Sequence, residues 1–383
     1  MQYRRFPKID GLEVSTLGLG CMRLPQRSAD PADIDEAALD AMVLAAREAG
    51  VNYLDTAYIY HKGRSEAALG ESLERTGSRG DFLLATKSPV WLAKDSGDWE
   101  RFLDEQLKRL KTDHVDFYLL HALSAERWAL VEKLGGLRAM ERFRADGRIR
   151  HLGFSFHDNL DAFKRIVDGY PAWEFCQVQY NYVDKDFQAG EAGLRYAAER
   201  EIGAIVMEPL RGGALVRAPR AVREIFARHP TPRMLAEWAM RFVWERQEVT
   251  TALSGMGSVD QVLENAAYAE AARMNSLTRA EMALFDEARA FFKEREKVPC
   301  TGCGYCKPCP SGVSIPDCFE LYNAAAMFDI KADRGRWYEA AYRSQGKGGN
   351  ACVQCGACVP KCPQGIAIPE RLAEADGYLK GGA

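Results

Sequence analysis

The sequence predicts an α/β chain built as a closed (β/α)8 barrel with a small, cysteine-rich second domain behind it. Three observations predict this. Eight short apolar runs recur before position 256, and longer stretches with helical periodicity lie between them. At 383 residues the chain exceeds the roughly 250 that such a barrel needs, which leaves room for an appendage. Of eleven cysteines, only Cys21 and Cys176 precede position 300.

The elements follow in order. Arg4–Phe6 and Leu12–Val14 flank Asp10-Gly11, a hairpin signal placed to cap the bottom of the barrel. The eight runs are Leu17–Cys21, Tyr53–Ala57, Phe82–Lys87, Val115–His121, Ile149–Ser155, Phe175–Asn181, Ala204–Leu210 and Thr251–Gly255. Several are almost wholly apolar, as parallel strands buried on both faces are. Ile34–Ala49, Ser65–Arg75, Trp99–Leu110 and Leu194–Arg200 read as amphipathic helices between them. A doubly wound open sheet competes, but Leu17-Gly-Leu-Gly-Cys-Met lacks the G-x-G-x-x-G expected after its first strand. Helical patterns run on through Met274 and from Arg279 to Lys297, and Pro299 then breaks them. Domains are therefore expected at 1–298 and 299–383. Within the second, Ser344–Asn350 reads as a flexible connection between two cysteine motifs.

Composition narrows the function. A 47% apolar content suits a large core, and a net charge of −3 gives no reason to expect nucleic-acid binding. No run of about 18 apolar residues predicts a membrane span. The opening MQYRRFPKIDGLEVS lacks an apolar signal core, so the expected compartment is cytoplasmic.

Function in such a barrel sits where strands end. Asp55 and Tyr60 lie at and just after the second run, Lys87 ends the third, and His121 ends the fourth. Taken singly each has an ordinary structural use; four together point to catalysis. Asp-Thr-Ala-x-x-Tyr, Thr-Lys and Asp-x-Tyr-Leu-x-His, in that order, resemble the aldo-keto reductases, a TIM-barrel family. GFSFHDN, QVQYN, EPLRGG and SGMGSVDQVLEN continue the likeness from the fifth to the eighth strand, over Arg4 to Leu284. The resemblance implies carbonyl–alcohol interconversion with NAD(P)H, NADPH or NADH being undecided. Tyr60 would donate the proton, Lys87 would lower its pKa, Asp55 would hold Lys87, and His121 would bind the substrate oxygen. It further implies that Ser155 and Gln179, with Asn181 beside them, hold the nicotinamide carboxamide. Leu210, Arg211, Gly212 and Gly213 would follow the pyrophosphate, and Gln261, Glu264 and Asn265 the adenine. Three positions depart from the family's pattern. Met207-Glu208 stands where a tyrosine commonly stacks on the nicotinamide, Phe156 where an asparagine follows the serine, and Gly257 and Ser258 where basic residues read a 2′-phosphate.

Cys352-x2-Cys355-x2-Cys358-x3-Cys362-Pro363 matches the bacterial ferredoxin pattern, and Cys300-x2-Cys303-x2-Cys306-x2-Cys309-Pro310 matches it with one residue fewer in the last gap. The expectation is a ferredoxin-like domain with two [4Fe–4S] clusters, the Pro-flanked cysteine of each run serving the other cluster. Two four-cysteine zinc sites are the competing reading. Both runs are followed by Gly-(Val/Ile)-x-Ile-Pro, a weak duplication. Cys318, Cys21 and Cys176 read as small core hydrophobes, with Cys21 ending the first strand where it would line the pocket. Two functional classes follow: an oxidoreductase acting on a small carbonyl or alcohol, its clusters exchanging electrons with a ferredoxin or flavoprotein, or an electron-transfer module on a barrel scaffold. A purely structural role for the clusters stands beside both.

Overall fold

The computed structural model describes residues 1–300, 302, 304–362 and 364–382; Cys303 and Pro363, both singled out above, lie outside the described residues. The chain divides into two compact units, Met1–Leu215 with Ala236–Leu277, and Val216–Leu235 with Thr278–Ala383. Among the described residues no helix is long and apolar enough to cross a membrane.

The first unit opens with an antiparallel hairpin, β1 (Tyr3–Arg5) and β2 (Glu13–Ser15). Eight parallel strands follow and close on themselves: β3 (Leu17–Gly20), β4 (Tyr53–Asp55), β5 (Leu83–Ser88), β6 (Val115–Leu123), β7 (Ile149–Phe156), β8 (Phe175–Gln179), β9 (Gly203–Met207) and β10 (Val249–Ser254). Each expected run falls on one of them, with ends shifted by a few residues. Around them run α1 (Glu36–Glu48), α2 (Ser65–Thr76), α3 (Asp98–Leu110), α4 (Ala125–Lys133), α5 (Gly136–Ala145), α6 (Leu160–Gly169) and α7 (Gly190–Ala198). The hairpin plugs the lower end as expected: Phe6, Ile9 and Val14 are buried with Tyr53, Phe117 and Phe175 of the strands, Phe6 and Phe117 lying 5.1 Å apart ring to ring.

One irregularity prepares the upper end. The β6–β7 register shifts between Leu120 and Leu123, and Ala122 takes a φ of 54°. A non-glycine residue in that region marks local strain, and a bulge re-aims its neighbour's side chain. The neighbour is His121.

α8 (Arg220–Ala227) belongs to the second unit, α9 (Leu235–Trp244) and α10 (Val259–Ala271) lie beside the barrel strands in sequence, and α11 (Arg279–Glu294) again belongs to the second unit. There α12 (Ile315–Met327), α13 (Lys331–Tyr338) and α14 (Ile368–Leu379) enclose a core of Val313, Ile315, Phe319, Ile366, Ile368 and Leu372. The duplication is structural: α12 and α14 both begin at an Ile-Pro pair, preceded by Gly312 and Gly365 at φ of 74° and 62°. Ser344–Asn350 corrects the expectation of a flexible connection. The Gly349 N–H donates to the Tyr338 hydroxyl at 2.7 Å, which donates to Asp376 at 2.9 Å. A Cβ on Gly349 would stand 2.5 Å from the Leu372 carbonyl oxygen, so the glycine is there for close approach to α14.

Candidate active site

The strand ends bring the four expected residues together. Lys87 is wholly buried, and its Nζ donates to Asp55 Oδ1 at 2.5 Å, the Thr56 carbonyl at 2.8 Å and the Tyr60 hydroxyl at 3.4 Å. An ammonium has three N–H bonds, and these three acceptors use them all. Tyr60 opens a short turn, Tyr60–Gly63, whose His61 and Lys62 are left-handed. His121 faces Tyr60 edge-on, ring centroids 6.0 Å apart, and packs on Trp91 at 5.2 Å. Its Nδ1 and the second carboxylate oxygen of Asp55 are buried without a hydrogen-bond partner. Such atoms are costly to leave unmet unless a ligand meets them.

Burial dominates the electrostatics. It pushes the Tyr60 phenol up, and the pull of Lys87 only partly offsets it, so the phenol stays above its ordinary value. Lys87 does pull the phenol down, as expected, but in this dry site desolvation of the phenolate outweighs the ammonium. Burial disfavours the Lys87 charge too, yet Asp55 and Tyr60 outweigh it and hold the ammonium protonated. For Asp55, burial raises the carboxyl against the pull of Lys87. Burial, then the Lys87 charge, drives His121 well below its usual range, so its ring is neutral at pH 7. Cys21 is buried near this pair; burial and Asp55 push its thiol up, which leaves it unreactive.

Residues that sequence reasoning passed over support these four. Gln106 of α3 donates to the Lys87 carbonyl at 3.0 Å and to Glu66 of α2 at 2.7 Å, and Thr86 donates to Glu66 at 2.6 Å. Arg127 stacks over Trp91 at 4.8 Å and donates to the Ala122 carbonyl at 2.6 Å. In sequence Glu66, Gln106 and Arg127 look like ordinary polar positions on amphipathic helices, while Thr86 drew notice only as part of the Thr-Lys motif.

The remaining candidates lie on or after β7, β8, β9 and β10, each with partners of its own. Ser155 Oγ accepts from the Ala122 N–H at 2.7 Å, leaving its own O–H to donate. Gln179, Asn181 and Arg211 converge on Asp184 Oδ2, at 3.2, 3.2 and 2.8 Å. Asp184 carried no signal in the sequence. Arg211 begins a short turn through Gly212 and Gly213, at φ of 47°, 66° and 86°, while Leu210 precedes it. Phe156 turns onto Phe163 of α6 at 5.2 Å. On α10, Gln261 accepts from the Gly257 N–H at 2.8 Å, Glu264 accepts from Tyr268 at 2.6 Å, and Asn265 donates to Ser254 at 3.0 Å.

A model of the aldo/keto reductase family matches residues 16–290, which span every barrel strand and this site. The chain belongs to the aldo/keto reductase family. Residues 299–367 match a 4Fe-4S dicluster domain. Among curated relatives, the Schizosaccharomyces pombe aldo-keto reductase yakc [NADP(+)] is 29% identical over 221 residues, 55% of this chain and 62% of that protein. Escherichia coli methylglyoxal reductase YeaE is 30% identical over 262 residues, 65% of this chain and 83% of its own length. The holo structure of the aldo-keto reductase AKR11C1 from Bacillus halodurans superposes with a TM-score of 0.61 at 26% identity, covering 75% of this chain and 96% of that one. The protein is thus an oxidoreductase of this family that carries an iron–sulfur domain.

In that domain all the described cysteines but Cys318 gather at two hollows. Cys309, Cys352, Cys355 and Cys358 line the larger one, with Cys306 also at its wall. Cys300, Cys306 and Cys362 line the smaller, among Ile315, Phe319 and Ile368. Burial, followed by the neighbouring charges of Cys352, Cys309 and Cys355, pushes the Cys358 thiol up. Crowded thiols in an apolar wall are a donor set that suits a cubane cluster. Cys318 is buried in the core beside them.

Proposed function

We propose that the barrel interconverts a small carbonyl and its alcohol using a nicotinamide nucleotide, and that the C-terminal domain exchanges electrons with a redox partner, a ferredoxin or flavoprotein. The observation that carries it is the buried Asp55–Lys87–Tyr60 chain of hydrogen bonds facing a neutral His121 with an unmet ring nitrogen. When bound, the nicotinamide supplies the hydride and two [4Fe–4S] clusters carry single electrons.

The protein's own residues do the rest. Asp55 holds Lys87, and Lys87 holds the Tyr60 hydroxyl. Tyr60, protonated at neutral pH, gives its proton to the carbonyl oxygen, and Lys87 stabilises the phenolate left behind. A neutral His121 donates a hydrogen bond to the same oxygen without adding charge beside Lys87. Ser155 and Gln179 would hold the carboxamide. Cys300, Cys303, Cys306 and Cys362 would ligate one cluster, and Cys352, Cys355, Cys358 and Cys309 the other.

The second reading, electron transfer on a barrel scaffold, draws its support from Asp184, which occupies the amide groups of Gln179 and Asn181. Anaerobic titration with NADPH and NADH separates the two, with methylglyoxal, named for the Escherichia coli relative, as the first carbonyl tried. Carbonyl-dependent nucleotide oxidation supports the enzyme. Bleaching of the cluster absorbance without a mediator links the two domains. A protein that binds neither nucleotide is a scaffold.

A further inference from the structure

One cation stands beside the catalytic residues without a carboxylate to pair with. Arg127, in the first turn of α4, is half-buried just beyond the end of β6. Its Nη1 donates to the Ala122 carbonyl at 2.6 Å, and its guanidinium lies over the Trp91 ring at 4.8 Å. Among the described residues these are its only hydrogen bond and ring contact, and it forms no ion pair. A guanidinium has five N–H donors, so most of them are open. The neighbouring carboxylates do not answer it. Asp158 accepts from the Ala125 and Asn159 N–H groups at 2.9 and 2.8 Å. Glu126 is exposed and makes no ion pair with Arg127, and burial lowers the guanidinium's pKa against what pull Glu126 exerts.

The place of this cation ties it to the chemistry. Ala122, whose carbonyl it holds, follows His121 at the β6 bulge. Trp91 packs on His121 at 5.2 Å and lies beneath Arg127 as well. Arg127 therefore stands one aromatic ring away from the histidine proposed to hold the carbonyl oxygen. His121, buried with its Nδ1 unmet, is a second unfilled polar group here. A charge kept half out of water gains from an anion brought to it, and a guanidinium fork matches the two oxygens of a carboxylate.

We propose that Arg127 binds a carboxylate of the substrate, so that the compounds reduced in this barrel are aldehydo or keto acids whose carbon chain lies against Trp91. Assigning the anion to the substrate rests on the carbonyl-reduction reading above. Arg127 holds the far end of the substrate and touches none of the reacting atoms.

The test has two arms, both on anaerobically prepared holo-protein. The first compares reduction of succinic semialdehyde with that of its uncharged methyl ester, using whichever nicotinamide nucleotide the protein oxidises. Because Arg127 also braces the bulge beside His121, the readout is the ratio of kcat/KM for acid and ester. In Arg127→Met that ratio should fall by roughly ten- to a hundredfold, chiefly through the KM of the acid, the scale of charge-assisted hydrogen bonds to a carboxylate. Arg127→Lys should recover part of the loss. The second arm needs no turnover: butyrate binding followed by tryptophan fluorescence, with Trp91→Phe identifying the reporter and butyramide as the uncharged control. Butyrate should perturb Trp91 and butyramide should not, and Arg127→Met should weaken butyrate by a similar factor. A ratio unchanged in Arg127→Met overturns the assignment and leaves Arg127 a brace for the bulge. So does butyrate binding that survives Arg127→Met. Butyrate bound through Arg127 by a protein that reduces neither compound would keep an anion site there but overturn its assignment to a substrate, together with the reduction reading.

Discussion

Tyr60 stores its proton in a place where giving it up would leave a phenolate in a dry cavity, tolerable only because Lys87 stands 3.4 Å away. Tyr60→Phe keeps the ring and removes the proton. Its single-turnover reduction of a carbonyl should slow by roughly a hundredfold while nucleotide binding is unchanged; near-normal turnover would remove Tyr60 from the chemistry. With the phenol raised and the His121 ring held well below its usual range, both keep one protonation state from about pH 6 to 9. The kcat/KM for reduction should be flat there, and a limb near 6.5 would show His121 titrating. Lys87 also bears on stability. Lys87→Met strands Asp55 in the core and should cost about 3–5 kcal/mol in urea unfolding, whereas adding Asp55→Asn should return part of it. A double variant less stable than Lys87→Met would break this account. The four residues proposed for catalysis were legible because motif spacing survives in one dimension. Asp184 was not, because its meaning lies in what it meets across strands: three donors on one carboxylate.

Among the elements, strands were legible because burial on both faces writes them as apolar runs, and their ends were less so because loop residues such as Thr56 and Tyr180 continue the apolar-looking pattern. The bulge at His121–Ala122 had no such signal, since a register shift depends on the partner strand. Ser344–Asn350 misled because glycine serves close packing as well as looseness. α11 carries a clear sequence signal, Thr278 followed by Glu281, and the structure shows the full capping box. Glu281 is pushed up by burial, but the Thr278 N–H, Arg233 and the Thr278 hydroxyl outweigh this and bring it to about 2. A carboxylate held below its unfolded value of about 4.3 stabilises the fold above that pH, and the gain fades as pH falls toward 2. Glu281→Gln should therefore lower stability by about 1 kcal/mol at neutral pH, and the penalty should shrink below about 4.3 as the carboxylate is protonated. Thermal scans at stepped pH check this, and a penalty that stays undiminished toward pH 2 would contradict it.

At the scale of the whole molecule, one chain joins an aldo/keto reductase barrel to a 4Fe-4S dicluster domain. The repeated Gly-(Val/Ile)-x-Ile-Pro makes the second domain a doubled unit, each half opening a helix, α12 or α14, after its cysteines. Doubling alone would let each run keep its own cluster, and the short gap between Cys306 and Cys309 favours that arrangement. The hollows argue the other way: Cys309 shares one with Cys352, Cys355 and Cys358, and Cys362 shares the other with Cys300 and Cys306. Anaerobic protein should then hold about eight iron atoms, and EPR of the reduced form should show two spin-coupled clusters. Cys309→Ser should damage the cluster served by Cys352, Cys355 and Cys358 and remove the coupling, leaving one simple signal. Adding Cys300→Ser should abolish that signal, and adding Cys352→Ser should spare it. The reverse dependence would mean that each run closes on its own cluster, in which case Cys309 and Cys362 face the hollows without crossing between them.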